Sequence, residues 1–100
     1  MQNISAAEVK KRLQAGESLN LIDVREPDEN QEFNIGGILL PMHMIHTMQV
    51  ESIENLKNEE VILYCRSGNR SAQAALVLEM LGFNNVKNLE GGMVEWKNLS

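Results

Sequence analysis

The sequence predicts an α/β fold in which a mainly parallel sheet is covered by helices on both faces. Short, mostly apolar runs of strand length, such as Leu19–Val24 and Val61–Tyr64, alternate with helical segments such as Ser71–Leu81. Strands that are apolar along their whole length are typical of parallel sheets, because both faces of such a sheet are covered. The chain has the length of one small domain, so we expect residues 1–100 to form a single domain.

The first half of the chain begins with a clear helix signal. Ser5 can cap the free amides of a helix, and Glu8, three residues later, completes a capping box. This predicts a helix over Ala6–Ala15, followed by the strand Leu19–Val24. Further along we expect helical turns over Asp28–Phe33, a short strand over Ile38–Leu40, an irregular stretch from His43 and a helix over Val50–Leu56.

The second half contains the apolar run Val61–Tyr64, which we expect to be the central strand. A polar loop is predicted over Cys65–Arg70, and a helix over Ser71–Leu81. A short strand over Val86–Leu89 follows, and then a last helix that begins after Gly91-Gly92 and runs through Trp96. Binding sites of parallel sheets lie at the carboxyl ends of the strands. Cys65 occupies that position on the strand expected in the middle.

Composition limits the partners and the compartment. A formal charge of −5 argues against nucleic acid or an anionic membrane as a partner. The amino end lacks the pattern of a signal peptide, and no apolar run has membrane-spanning length. The single cysteine fits a reducing compartment, so we expect a cytoplasmic protein. His43 and His46 have no matching ligands nearby in sequence, so neither a metal nor another cofactor is expected.

The informative segment is the loop between the central strand and the next helix. Cys65 follows the strand directly, four residues separate it from Arg70, and a helix starts at Ser71. A loop this short must curl around the space in front of the sulfur, so its amides and those of the helix start point inward at an anion. Gly68 allows a positive φ in this curl. Asn69 tolerates similar conformations, and Ser71 is expected to cap the helix.

These groups also predict a reactive cysteine. The thiolate is the nucleophile, and inward amides with Arg66 and Arg70 would favour the charged form. We therefore expect a lowered pKa for Cys65, with no side-chain base required. This suits attack on the outer sulfur of an anionic donor such as thiosulfate, which would leave Cys65 as a persulfide. An exposed thiolate of this kind would be sensitive to oxidation.

Three segments resemble those of the rhodanese homology domain, and the likeness covers essentially the whole chain. They are Leu21-Ile22-Asp23-Val24-Arg25-Glu26-Pro27, Cys65-Arg66-Ser67-Gly68-Asn69-Arg70-Ser71 and Leu89-Glu90-Gly91-Gly92-Met93-Val94-Glu95-Trp96. The resemblance implies a five-stranded parallel sheet with helices on both faces and a single-domain sulfurtransferase with Cys65 as nucleophile. The residues implied to hold the donor are Arg66, Ser67, Gly68, Asn69, Arg70 and Ser71.

The sequence departs from the family pattern at one place. Many relatives carry a His-Ile-Pro-Gly-Ala stretch where this chain has Ile35-Gly36-Gly37-Ile38-Leu39-Leu40-Pro41. The missing histidine leaves the acceptor open between a thiol, cyanide and a protein partner. Asp23 and Arg25, at the end of their strand, are expected to fix neighbouring loops through hydrogen bonds or ion pairs. The acidic cluster that includes Glu59 and Glu60 is expected to be a solvated face.

Two other function classes share the need for a reactive cysteine. A non-enzymatic persulfide carrier or redox sensor would dock on a protein partner and turn over small donors slowly. A phosphatase would use a similar loop, but phosphatases of this type separate the cysteine from the arginine by five residues and this chain by four. The smaller ring suits sulfur and crowds a phosphoryl group.

Overall fold

The computed structural model describes residues 1–99, and the strands within that range form one five-stranded parallel sheet. The strands are β1 (Gln2–Ser5), β2 (Leu21–Asp23), β3 (Ile38–Leu39), β4 (Val61–Tyr64) and β5 (Val86–Glu90). Their order across the sheet is β1-β5-β4-β2-β3. The predicted parallel sheet is therefore confirmed, with β4 in its centre.

Residues 1–99 also contain five α-helices and one 3₁₀ helix. They are α1 (Ala6–Gln14), α2 (Pro27–Glu32), α3 (Met42–His46), the 3₁₀ helix Glu51–Leu56, α4 (Asn69–Met80) and α5 (Gly92–Asn98). Among residues 1–99, none of these helices has the length and apolarity needed to cross a membrane.

The side chains of β4 point alternately into two cores, one on each face of the sheet. Val61, Leu63 and Cys65 belong to the core beneath α3, α4 and the 3₁₀ helix. Ile62 and Tyr64 belong to the core that includes residues of α1 and α5. Each such burial contributes about 1.5–3 kcal/mol relative to an exposed side chain. Cys65 thus directly follows a strand that is buried at every position. The predicted helices on both faces of the sheet are confirmed.

Several predicted elements differ from the observed ones. The strand β1 was not predicted, because only Ile4 of its four residues is buried and no apolar run marks it. The expected irregular stretch after His43 contains the short helix α3, and the expected helix over Val50–Leu56 is a 3₁₀ helix over Glu51–Leu56. The predicted cap of α1 is present, since Glu8 N donates to Ser5 Oγ at 3.0 Å.

An ion-pair network lies next to the amino end of β4, whereas the loop follows the carboxyl end of the same strand. Glu60 accepts hydrogen bonds from Arg12 Nη1 at 3.0 Å and Nη2 at 2.6 Å, and it also pairs with Lys87. The Arg12 hydrogen bonds are the main cause that lowers the pKa of Glu60 to about 2. Glu60 was expected on a solvated acidic face, so this part of the prediction is wrong.

Candidate active site

The loop after β4 is shaped by a glycine. Cys65, Arg66, Ser67 and Gly68 connect β4 to α4, and Gly68 adopts a φ of 98° at the residue that caps the helix. A Cβ at this position would lie 3.3 Å from the amide nitrogen of Gly91. The left-handed conformation and the close approach both favour glycine, so the chain can turn sharply from the strand into the helix.

Two main-chain amides and one hydroxyl lie within hydrogen-bond distance of the Cys65 sulfur. Gly68 N donates to Cys65 Sγ at 3.1 Å, and Ser71 N lies 3.4 Å from the same atom. Ser71 Oγ is 3.3 Å from Sγ. The predicted curl therefore brings amides from the loop and from the first turn of α4 onto one sulfur atom.

Burial and hydrogen bonding act in opposite directions on the Cys65 thiol. Burial raises its pKa, while contacts with Ser71 and with the amides of Gly68 and Ser67 lower it, and the net effect is a lowered pKa. Cys65 is only 1% exposed, so the expectation of an exposed thiolate is wrong. The loop covers the sulfur because its amides converge on it.

Two loop residues occupy positions that differ from the prediction. Helix α4 begins at Asn69, so Ser71 lies in its first turn and does not cap the helix. Its hydroxyl faces Cys65 and Asn88 instead. Asn69 is helical and exposed, and Gly68 alone takes the left-handed conformation that was considered for both. The reason is that the helix begins at Asn69, two residues earlier than the polar sequence suggested.

Comparisons with known proteins agree with this fold. A family model for the rhodanese-like domain matches residues 5–99. This chain belongs to the rhodanese-like family. A sulfurtransferase of Allochromatium vinosum is 37% identical over 97 residues, which cover 96% of this chain and 88% of that protein. Rhodanese-type sulfur transfer is thus the class of activity that its relatives support.

Two further relatives extend this comparison. The thiosulfate sulfurtransferase PspE of Escherichia coli is 32% identical over 71 residues, or 70% of this chain and 67% of that protein. The crystal structure of a rhodanese-like domain protein from Staphylococcus aureus superposes with a TM-score of 0.85 and is 33% identical, covering 96% of this chain and 91% of that one. The five-stranded architecture is that of rhodanese-like domains.

The two arginines of this rhodanese-like loop have different surroundings. Arg66 is exposed and lines a cleft of about 430 Å³ beside the loop. Arg70 donates from Nη1 and Nη2 to the two carboxylate oxygens of Glu29, at 3.2 and 3.1 Å, and its charge also interacts with Cys65. These hydrogen bonds are the main cause that lowers the pKa of Glu29. The family resemblance implies that Arg70 helps to hold the donor, and in this structure its guanidinium is paired with Glu29 of α2.

Asp23 and Arg25 form the buried pair that their expected structural role requires. Arg25 donates from Nε to Asp23 Oδ1 at 2.9 Å and from Nη2 to Oδ2 at 3.0 Å. Arg25 also donates to the carbonyl of Phe33, and Asn30 Nδ2 donates to Asp23 Oδ2 at 2.8 Å. The pair therefore ties the middle and the carboxyl end of α2 to the end of β2, and it helps to position Glu29 for its contact with Arg70.

The first turn of α5 is hydrogen-bonded to the backbone of the loop. Met93 N donates to the carbonyl of Cys65 at 2.9 Å, and Val94 N donates to that of Arg66 at 3.0 Å. Gly92 has a φ of 55°, and a Cβ there would lie 2.5 Å from the Cys65 carbonyl oxygen. Gly92 of the closing motif is thus needed where α5 contacts the backbone of Cys65.

Within the stretch that departs from the usual family pattern, Gly37 has a packing reason. Gly37 lies against the ring of Tyr64, where a Cβ would be 2.6 Å from the hydroxyl oxygen and 2.9 Å from the carbonyl oxygen of Leu21. This glycine lets the chain pass over Tyr64 before entering β3. His43 and His46 are exposed on α3, and residues 1–99 contain no group of three metal-ligating side chains.

Sequence reasoning missed two residues that complete the site. Asn88, on β5, contacts both Ser71 and the Gly68 carbonyl. Its signal was a polar side chain two residues after Val86, and therefore on the same face of the strand as that buried residue. Glu29, on α2, pairs with Arg70, which is 41 residues away, and only the fold brings the two together.

Proposed function

We propose that Cys65 carries sulfur as a persulfide, taken from thiosulfate or a persulfide donor and passed to a thiol or cyanide acceptor. The observation that carries this proposal is the convergence of the Gly68 and Ser71 amides on Sγ, at 3.1 and 3.4 Å. Amides fixed in the fold stabilise negative charge without reorganising during the reaction. The relative named for thiosulfate, from Escherichia coli, supports this donor class.

The proposed reaction has two displacements at sulfur. The Cys65 thiolate attacks the outer sulfur of thiosulfate, a bond forms between the two sulfurs, and the S–S bond of thiosulfate breaks. Sulfite leaves with the electron pair of that bond, so the charge of the new persulfide lies on its outer sulfur. An acceptor thiolate, or cyanide, then attacks this outer sulfur and Cys65 leaves as the thiolate. No oxidant or reductant from outside is consumed.

Intact-mass measurement tests the persulfide directly. Incubation of the protein with thiosulfate should add one sulfur atom, and an excess of cyanide or a thiol should remove it. Cys65→Ser and Cys65→Ala should both abolish the adduct and the turnover, because the chain has no other cysteine. Sulfur transfer by either variant would contradict the proposal.

The arginines around the loop provide a second test. Arg66 lines the cleft beside the loop and the charge of Arg70 interacts with Cys65, so both should favour an anionic donor. Arg66→Ala and Arg70→Ala should raise the KM for thiosulfate. Lys57→Ala is the matched control, because it removes a cation that pairs with Glu54 and that precedes the amino end of β4, whereas the loop follows its carboxyl end. An equal effect of the control would show that net charge alone matters.

A persulfide carrier that serves a protein partner is the second candidate, and the burial of the sulfur favours it. Cys65 is 1% exposed, so a partner that opens the loop would load it faster than a free small donor. A carrier should accept sulfur from a protein persulfide while it barely turns over thiosulfate. The same burial disfavours a redox sensor, since peroxide must reach the sulfur. Retained activity after peroxide treatment is then the expected result.

Phosphate chemistry is not expected from this site. Four residues separate Cys65 from Arg70, and Arg70 is paired with Glu29 instead of being left for a phosphoryl group. We expect no hydrolysis of an aryl phosphate. A hydrolysis that is lost in Cys65→Ser would reverse this ranking. We also propose a reducing compartment such as the cytoplasm, because Cys65 must remain a free thiol before it is loaded.

A further inference from the structure

The hydroxyl of Ser71 lies between two groups that can each accept its single proton. Ser71 Oγ is 3.3 Å from Cys65 Sγ and also within hydrogen-bond distance of Asn88 Oδ1. Ser71 is fully buried and Asn88 is 5% exposed, so water does not supply a second donor freely. A hydroxyl has one proton to donate. Only one of the two acceptors can therefore receive it at a time.

The orientation of the Asn88 amide is fixed by its other neighbours. Asn88 Nδ2 lies 3.2 Å from the Gly68 carbonyl oxygen and 3.2 Å from Asn3 Oδ1. A carbonyl oxygen can only accept, so the amide nitrogen must face Gly68. A flipped amide would place two acceptors against each other. Asn88 therefore presents its own oxygen, an acceptor, to Ser71.

This orientation decides where the Ser71 proton goes. An acceptor that faces Ser71 Oγ at hydrogen-bond distance in a buried site requires the proton between the two oxygens. Ser71 then turns a lone pair toward Cys65 Sγ. A neutral Cys65 thiol can donate its proton to that lone pair. A thiolate would be stabilised by the main-chain amides, and by the hydroxyl only when the Ser71 proton turns from Asn88 to the sulfur.

We propose that Asn88 is a positioning residue that holds the Ser71 hydroxyl proton away from the Cys65 sulfur. This deepens the proposed function and rests on it, because it concerns the same cysteine. The bare thiolate has one donor fewer and is the stronger nucleophile for it. In the persulfide the inner sulfur carries no charge and needs no donor there. Asn88 thus favours the loaded form over the bare thiolate.

The charges around the sulfur do not replace this effect. Arg70, on α4, is a charged group that interacts with Cys65, and it is paired with Glu29 on α2. Neither Ser71 nor Asn88 titrates in the accessible range of pH. A change at Asn88 to an uncharged side chain therefore alters hydrogen bonding at the sulfur without altering the local charge.

Thiol alkylation rates measured against pH test the proposal, and they need no sulfur donor. Asn88→Leu removes the acceptor, frees the Ser71 hydroxyl to donate to the sulfur, and should lower the thiol pKa by about one unit. The matched control makes the same substitution in Ser71→Ala, which has no hydroxyl to free, so the pKa should not fall there. An unchanged or raised pKa in Asn88→Leu would overturn the proposal.

The Ser71→Ala background distinguishes two roles of Asn88: action through the Ser71 hydroxyl, and structural support of the loop. If Asn88 acts through the hydroxyl, Asn88→Leu should shift the pKa in the native background and not in Ser71→Ala. An equal shift in both backgrounds would show a purely structural role. Should Asn88→Leu fail to fold, Ser71→Ala alone decides. It should change the thiolate fraction by less than about threefold, and a pKa rise of about one unit would show that the hydroxyl serves the sulfur.

Discussion

Replacing Gly92 by alanine tests whether α5 fixes the backbone of the reactive cysteine. The new Cβ would lie 2.5 Å from the Cys65 carbonyl oxygen and 2.6 Å from that of Arg66. Both atoms belong to main chain, and the contacts are closer than ordinary van der Waals contact by almost an ångström. Either α5 or the loop must move, and the movement strains the hydrogen bonds from Met93 N and Val94 N.

The expected destabilisation follows from two costs. The φ of 55° costs an alanine about 1–2 kcal/mol, as for any left-handed L-residue. Overpacking against fixed backbone adds about 1–3 kcal/mol. The sum for Gly92→Ala is about 2–5 kcal/mol, compared with an unfolding free energy of about 5–15 kcal/mol for a domain of ordinary stability. The folded variant can therefore be assayed for activity.

Urea unfolding and sulfur transfer measure the two consequences separately. Gly16→Ala is the matched control, because Gly16 has a φ of 88° and an added methyl group there would meet nothing within 4 Å, so the change should cost only the conformational strain. Gly92→Ala should lose more unfolding free energy than this control. In buffer without urea, where both variants are folded, Gly92→Ala should also lose most of its sulfur-transfer activity. Equal unfolding free energies, or full activity in Gly92→Ala, would refute the proposed contact between α5 and the loop.

Three further predictions concern side-chain charges. Glu29→Gln should free Arg70 for the donor and lower the KM for thiosulfate about twofold to fivefold, and high salt should erase the difference. Glu60→Gln should cost about 1–2 kcal/mol at neutral pH. Because hydrogen bonds from Arg12 lower the folded-state pKa of Glu60 to about 2, this contribution is complete above the unfolded pKa and is lost as the pH falls toward 2, so native and variant unfolding curves should converge in acid. Asp23→Asn should cost about 3–5 kcal/mol in thermal or urea unfolding, because it leaves a buried guanidinium without its carboxylate. A variant as stable as the native protein would contradict this account of the pair.

The central part of the fold was predictable because burial acts along the whole strand. β4 is apolar at every position and every residue of it is buried, so pattern and environment agree. The edge strand β1 offers no such signal, since pairing with β5 supplies its stability and three of its four side chains face solvent. Glu60 is a residue whose local pattern predicts the wrong environment. Its neighbours in sequence suggest solvent, while its partners Arg12 and Lys87 come from other elements.

The site shows the same division between local and distant contacts. The cysteine at the strand end and the glycine with positive φ are local features, and the sequence located both. The role of Ser71 was assigned wrongly, because a serine at a helix start is indistinguishable in sequence from a cap. Its actual partner, Asn88, is 17 residues away on β5. Contacts that form only after the strands pair cannot be deduced from a local pattern.

The loop is held mainly through its own backbone, and this decides which substitutions should matter. Carbonyl groups of Cys65 and Arg66 receive amides from α5, the carbonyl of Gly68 receives the side-chain amide of Asn88, and the loop amides face the sulfur. Side chains at the exposed positions of the loop can therefore vary to suit a donor without disturbing the amides. Backbone-directed changes at the supporting glycines cannot, because they move the amides themselves. Such a site separates donor preference from sulfur chemistry within a loop of four residues.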